Sequence, residues 1–259
     1  MIDFYKENGY YIFNNSINKE LLVESNNYLN SQVNLDLWDS QEKLKPNKQL
    51  IGKFLELDVT KKLLTEIVDN DFTVMAEWFL VKRSFLITHR DAVFFPFHHK
   101  DVTKPITHKL WLNENFSYKY INIIFYLTDE KPGFEYFNVP KTHLLDNNNP
   151  DQYFTACSYY NNNEVIPTIV SRKDAIEKNI KASFTNCSTE EYDKYNALEN
   201  KNRKNFSFFN IKKGDVLLQS GSLIHGSYGV KEVCNVENSN LRKSFILRLI
   251  SNDYFKYAS

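Results

Sequence analysis

From residue 72 onward the chain is written in short runs of aromatic and β-branched residues. They read FTVMAEWFLVK at 72–82, SFLIT at 84–88, AVFFPF at 92–97, YINIIFYL at 120–127, FEYFNV at 134–139, DVLLQ at 215–219 and KSFILRLI at 243–250. Runs of this length and composition suit a pleated, half-buried surface, so the body of the molecule is predicted to be mainly β. Before residue 71 the pattern differs. Asp3 to Asn8 reads as a short helix stopped by Gly9, Asn18 precedes a stretch with Leu21, Leu22, Tyr28 and Leu29 on one face, and a further helix is expected after Asp58 with Leu63, Leu64, Ile67 and Val68 toward the core.

A chain of 259 residues has room for one large β-rich domain, and 20 Phe with 16 Tyr supply bulk for a sheet-walled interior. The expectation is a single domain over 1–259, helical in about 1–70 and interrupted by a polar insertion at about 144–205, where LLDNNNPDQ, YYNNNE and ALENKNRKN break the strand pattern. Long polar segments of this kind serve as lids or mobile connections. Lys plus Arg and Asp plus Glu both number 32, so charge recommends neither nucleic acid nor an anionic membrane as partner, and a small molecule is the default. Three widely spaced cysteines at 157, 187 and 234, with no CxxC, suit a reducing compartment. MIDFYKENGYYIF carries no signal-peptide features and no run of 18 apolar residues occurs, so a soluble, cytoplasmic protein is expected.

The chemistry-bearing residues are sparse. Of six histidines, at 89, 98, 99, 108, 143 and 225, His99 stands two residues before Asp101 at the end of AVFFPF. In an extended strand that spacing turns both side chains to one face, where imidazole and carboxylate meet one ion. A second segment, KKGDVLLQSGSLIHGSYG, launches a strand from Gly214-Asp215 and reaches His225, with Gly221, Gly226 and Gly229 around it where tight turns or close backbone approach need glycine. Two histidines and a carboxylate on a β scaffold compose the facial triad of non-haem iron(II), although a zinc hydrolase would use similar ligands. Arg242 then opens the last strand, and its planar fork can grip a carboxylate in bidentate fashion, as a 2-oxo acid chelating the metal requires. A hydrolase would leave Arg242 without a task, and no general base stands near either motif.

Taken in order, these segments resemble the phytanoyl-CoA dioxygenase family of iron(II)/2-oxoglutarate oxygenases. FYKENGYYIFNNSINKELL is similar to that family's opening, His99-Lys100-Asp101 to its His-x-Asp, Gly133 through Pro140-Lys141-Thr142-His143 to its Gly-rich turn and Pro-Gly-Ser-His, Gly214-Asp215 through His225-Gly226-Ser227 to its distal histidine strand, and Arg242-Lys243 to its cosubstrate arginine. Lys141 departs from the family's glycine, and His98 stands where an aromatic residue is common. The resemblance spans about residues 1 to 250 and weakens in 144–205.

It implies a double-stranded β-helix, or jelly roll, with flanking helices. It implies that His99, Asp101 and His225 bind Fe(II), and that Arg242 with Ser227 binds the distal carboxylate of 2-oxoglutarate, with O2 as co-reactant. Arg248, six residues along on the same face, competes with Arg242, and His143 reads as a structural turn residue. Because related halogenases carry a small residue in place of the carboxylate, Asp101 favours hydroxylation of a small-molecule C–H bond, with desaturation or cyclisation open to the same ligands. A catalytically inactive ligand-binding jelly roll is the alternative from another class. Trp78, Phe79 and Phe94, together with the insertion, are the expected pocket formers.

Overall fold

The computed structural model describes residues 1–32, 41–44, 47–82, 91, 118–129, 134–141, 143, 155–156, 159–161, 164–166, 169–170, 207–229 and 242–253. SFLIT and all of AVFFPFHHKD, including His99 and Asp101, lie outside them, as does most of the 144–205 segment.

Helix α1 (Ile2–Asn8) ends where Gly9 adopts φ 83° and returns its N–H to the Tyr5 carbonyl at 2.7 Å. Only glycine takes that left-handed conformation without strain, and a Cβ there would also strike the His143 ring at 2.6 Å. The chain then runs through strand β1 (Tyr10–Phe13) into α2 (Lys19–Gln32), whose first turn is capped by Asn18 Oδ1 accepting from the Leu21 N–H at 2.8 Å. Strand β2 (Gln41–Leu44) and helix α3 (Lys48–Leu55) come next, two elements that the strand and helix signals of the sequence do not reveal. Asn47 caps α3 by accepting from the Leu50 N–H. Helix α4 (Asp58–Val68) starts at the expected place and buries Leu63, Ile67 and Val68.

The β body contains β3 (Phe72–Lys82), β4 (Tyr120–Tyr126), β5 (Phe134–Val139), β6 (Thr155–Ala156), β7 (Tyr159–Asn161), β8 (Glu164–Ile166) and β9 (Ile169–Val170). It is completed by β10 (Ser207–Phe209), β11 (Val216–Ser220), β12 (Ile224–Gly229) and β13 (Arg242–Ser251). A six-stranded antiparallel sheet has the order β1-β11-β4-β13-β3-β2, and a three-stranded one the order β10-β5-β12. Within the expected polar insertion, β6 pairs with β9 and β7 with β8.

The period of two along each strand divides the large sheet into two unlike faces. Phe79 and Val81 of β3, Ile121, Ile123 and Phe125 of β4, Val216 and Leu218 of β11, and Phe245, Leu247 and Leu249 of β13 join the helices in one core. Phe54 of α3 stands at its centre, with ring centroids 4.9 Å from Phe125 and 4.8 Å from Phe245. Burying each such ring contributes about 1.5–3 kcal/mol, which holds the helices against this face. The opposite face looks toward the small sheet, where Leu80, Ile124, Leu217 and Ile246 pack with Tyr136 of β5 and Phe209 of β10. The same inward-facing register also carries polar groups.

Candidate functional site

Asn122 of β4, Gln219 of β11 and Arg248 of β13 are neighbours across the large sheet, for Asn122 is in register with both of the others. All three are buried. A pleated strand cannot turn only its apolar residues inward once alternate positions are polar, so these three side chains must satisfy one another and whatever they face. Arg248 Nε donates to Asn122 Oδ1 at 2.7 Å, and the Tyr136 hydroxyl donates to Gln219 Oε1. A register shift between β13 and β3 falls between Arg248 and Leu249, a local irregularity of the kind that re-aims a side chain.

These groups face Asp91. Its Oδ1 lies 2.8 Å from Arg248 Nη2, and its Oδ2 accepts from Asn122 Nδ2 at 2.6 Å. The guanidinium also lies 5.2 Å from the Trp78 ring. Burial pulls the Arg248 pKa down, but Asp91 and Tyr120 beside it outweigh that effect and hold it above its ordinary value.

His225 reaches the same point from the small sheet. The β11–β12 connection crosses directly over the Tyr120 ring, where a Cβ on Gly221 would sit 2.3 Å from a ring carbon, so glycine is required for the approach. The chain then enters β12 with His225 buried and opposite Asn138. Its Nδ1 is 2.9 Å from the Leu223 carbonyl. A carbonyl only accepts, so Nδ1 carries the hydrogen and the neutral ring presents its lone pair at Nε2. That Nε2 is 3.6 Å from Asp91 Oδ2. The separation is long for a hydrogen bond but suits two donors to one ion, since metal–ligand bonds of about 2 Å bridge donors roughly 3 to 4 Å apart.

The structure thus places the sequence candidates unequally. His225 is in the polar cluster, and Arg248 reaches it through Asp91. Arg242 is buried at the start of β13, opposite Lys82, and its Cα lies roughly 20 Å along the strand from that of Arg248 at about 3.4 Å per residue. Ser227 pairs with Tyr136 in the β12–β5 ladder. His99 and Asp101 are outside the described residues, and among the described residues no three metal-ligating side chains converge. His143 is buried, with Nε2 2.8 Å from the Lys6 carbonyl, and ties its turn to α1.

Asp91 is the group that sequence reasoning missed. A signal was present: His89-Arg90-Asp91 repeats the His-x-Asp spacing of His99-Lys100-Asp101 ten residues earlier.

Among solved structures, the chain is similar to HygX from Streptomyces hygroscopicus with nickel, 2-oxoglutarate and hygromycin B bound. The identity is 12%, 96% of this chain and 86% of that one are covered, and the TM-score is 0.57. It is also similar to the epimerase SnoN in complex with Fe3+, α-ketoglutarate and nogalamycin RO, at 10% identity, 96% and 81% coverage and TM-score 0.52. A third is the non-haem α-ketoglutarate-dependent carbocyclase SnoK from nogalamycin biosynthesis, at 12% identity, 96% and 83% coverage and TM-score 0.54. No protein-family model and no curated protein matches the chain. These likenesses establish the fold, which is the expected mainly β jelly roll with flanking helices. No helix among the described residues is long and apolar enough to cross a membrane.

Proposed function

We propose that this protein is an Fe(II)- and 2-oxoglutarate-dependent oxygenase of the phytanoyl-CoA dioxygenase type, acting on a C–H bond of a small molecule. The observation that carries the reading is the meeting of His225 Nε2 with a buried carboxylate between the two sheets of a jelly roll. A nitrogen and oxygen donor set of this kind fits non-haem iron. The metal is held by His225 and one His-x-Asp segment, either His99-Lys100-Asp101 or His89-Arg90-Asp91.

When bound, iron would activate O2, the oxidant, with 2-oxoglutarate as the two-electron co-reductant that leaves as succinate and CO2. The chain's own residues orient and enclose. The Leu223 carbonyl fixes the His225 ring so that its lone pair faces the ligand cluster. Arg242 with Ser227 grips the distal carboxylate of the cosubstrate, with Arg248 as the competing guanidinium. Tyr136, Trp78 and the apolar residues between the sheets keep water from the centre.

Oxygen-dependent succinate formation from 2-oxoglutarate with Fe(II) tests the reading, and His225→Ala should abolish it. Undiminished turnover in that variant would overturn the assignment. SnoN and SnoK are an epimerase and a carbocyclase, which keeps stereochemical inversion and ring closure beside hydroxylation. Product mass separates them: hydroxylation adds one oxygen atom, inversion leaves the mass unchanged and ring closure removes two hydrogens.

A further inference from the structure

We propose that Asn138 and Gln219 form a subsite, beside His225 and between the two sheets, that holds an uncharged amide group of the substrate, a carboxamide or a lactam. The inference rests on the oxygenase reading above and names its substrate class. Two polar rows face each other there. On the large sheet the register sets Tyr10, Gln219, Asn122 and Arg248 side by side across β1, β11, β4 and β13. On the small sheet it sets Ser207, Asn138 and His225 side by side across β10, β5 and β12. Partners directly opposite in antiparallel strands turn their side chains to one face, and Tyr136, two residues before Asn138, marks that face as the inner one.

Both ends of the rows are closed. At one end Tyr10 reaches the small sheet, its hydroxyl interacting with Ser207 and its ring centroid 4.8 Å from that of Phe209. At the other end Asp91 joins Arg248 and Asn122 to the neighbourhood of His225. The middle lacks its hydrogen bonds. Asn138 is fully buried, yet among the described residues neither its Oδ1 nor its Nδ2 has a partner, and Gln219, whose Oε1 accepts from Tyr136, has none at Nε2. Buried amides are costly unless bonded, and apolar side chains would fill the space among Tyr136, Phe209 and Leu217 without that cost. Two such amides in facing rows are explained by a ligand that bonds them.

The unpaired atoms describe that ligand. A planar amide presents its oxygen and its N–H side by side, so a second amide edge pairs with both in parallel hydrogen bonds. Carboxamides and lactams carry C=O and N–H on the same side, and a trans peptide bond does not. The ligand's carbonyl oxygen has a second lone pair for Gln219 Nε2. The middle of both rows is made of uncharged residues and the Arg248 guanidinium is engaged by Asp91, so a carboxylate, phosphate or ammonium finds no counter-charge.

The test is a titration of the isotope-labelled, metal-free full chain with propionamide, read by NMR at the side-chain amide signals of Asn138 and Gln219. Propionamide should shift both signals saturably, while propionate and propylene glycol should bind at least about tenfold more weakly, and Asn138→Leu should weaken propionamide binding by about tenfold or more. Should Asn138→Leu not fold, Asn138→Val removes the same two atoms with a smaller side chain. Either variant, ligand-free, should unfold at a urea midpoint no lower than wild type, since it takes away a buried amide that has nothing to bond. Co(II), standing in for iron, and 2-oxoglutarate should bind the variant as they bind wild type. Unmoved signals, equal or tighter binding of propionate or propylene glycol, or a lowered midpoint in both variants would overturn the proposal. Weakened 2-oxoglutarate binding would overturn it too, by assigning the two amides to the cosubstrate. Propionamide binding needs neither metal nor oxygen, so a wild-type chain that binds propionamide but no Co(II) would remove the oxygenase reading and leave the subsite standing.

Discussion

The two faces of the six-stranded sheet are built from the same strands and have opposite tasks. On β13, Phe245, Leu247 and Leu249 point to the helices and Arg248 points between the sheets. The helix side is a continuous packing of rings and aliphatic chains around Phe54. The inner side begins as the same kind of core, at Leu80, Ile124 and Ile246, and gives way to Asn122, Gln219, Arg248 and Asp91 near His225. One face stabilises the molecule and the other tolerates buried charge. Natural proteins keep such groups where function needs them, since removing one partner of a buried pair is costly and replacing both often is not.

That contrast can be broken at either face. Phe245→Ala should cost about 3–5 kcal/mol through the cavity it leaves under Phe54 and Phe79, while Co(II) affinity of the folded fraction stays unchanged. Urea denaturation and calorimetry read the two effects separately, and loss of metal affinity without loss of stability would erase the division. On the inner face, Arg248→Met alone should cost about 3–5 kcal/mol by leaving the Asp91 carboxylate uncompensated, whereas Arg248→Met with Asp91→Leu should recover most of that stability and abolish Co(II) binding. A double variant as unstable as the single one would make the polar cluster a structural element.

The smallest effect is a pH dependence. Burial pushes the Tyr120 phenol from its ordinary value of 10 up to about 12. Between those values the folded chain keeps a proton that the unfolded chain has lost. The contribution is therefore complete below about pH 10 and declines as pH rises toward 12, by about 1.4 kcal/mol per pH unit. Tyr120→Phe should flatten that part of the alkaline decline, as followed by denaturation midpoints between about pH 9 and 11.5, although Tyr5, also raised by burial, keeps its own share. An unchanged slope would place the Tyr120 ring in contact with water.

Much of the fold was legible because its signals are local. YINIIFYL, FEYFNV, DVLLQ and KSFILRLI all became strands, and Gly9 and Asn18 bound their helices as read. Strand β2 and helix α3 were missed in the lysine-rich stretch QEKLKPNKQL and the adjoining IGKFLEL, where Asn47 is a weak signal and burial of Leu50, Ile51 and Phe54 does the organising. The site was legible only in part. His225 is legible from its turn, whereas the His-x-Asp spacing occurs twice, at 89–91 and 99–101, and a local spacing does not say which of the two faces His225.

By itself the sequence determined the class of the molecule: a strand-rich body after residue 71, the helices before it, and a histidine at the head of a late strand. These depend on side-chain period and turn chemistry, which act over a few residues. Only the tertiary structure decided which charged groups share the interior. Asp91 and His225 are 134 positions apart, and Arg248 joins them only because β13 lies beside β4 in a register that sets Arg248 against Asn122. No local pattern encodes that register. It comes from burying one face of the sheet under the helices, since a slip of one residue would turn Arg248 into the aromatic core and expose Phe245 to the cluster.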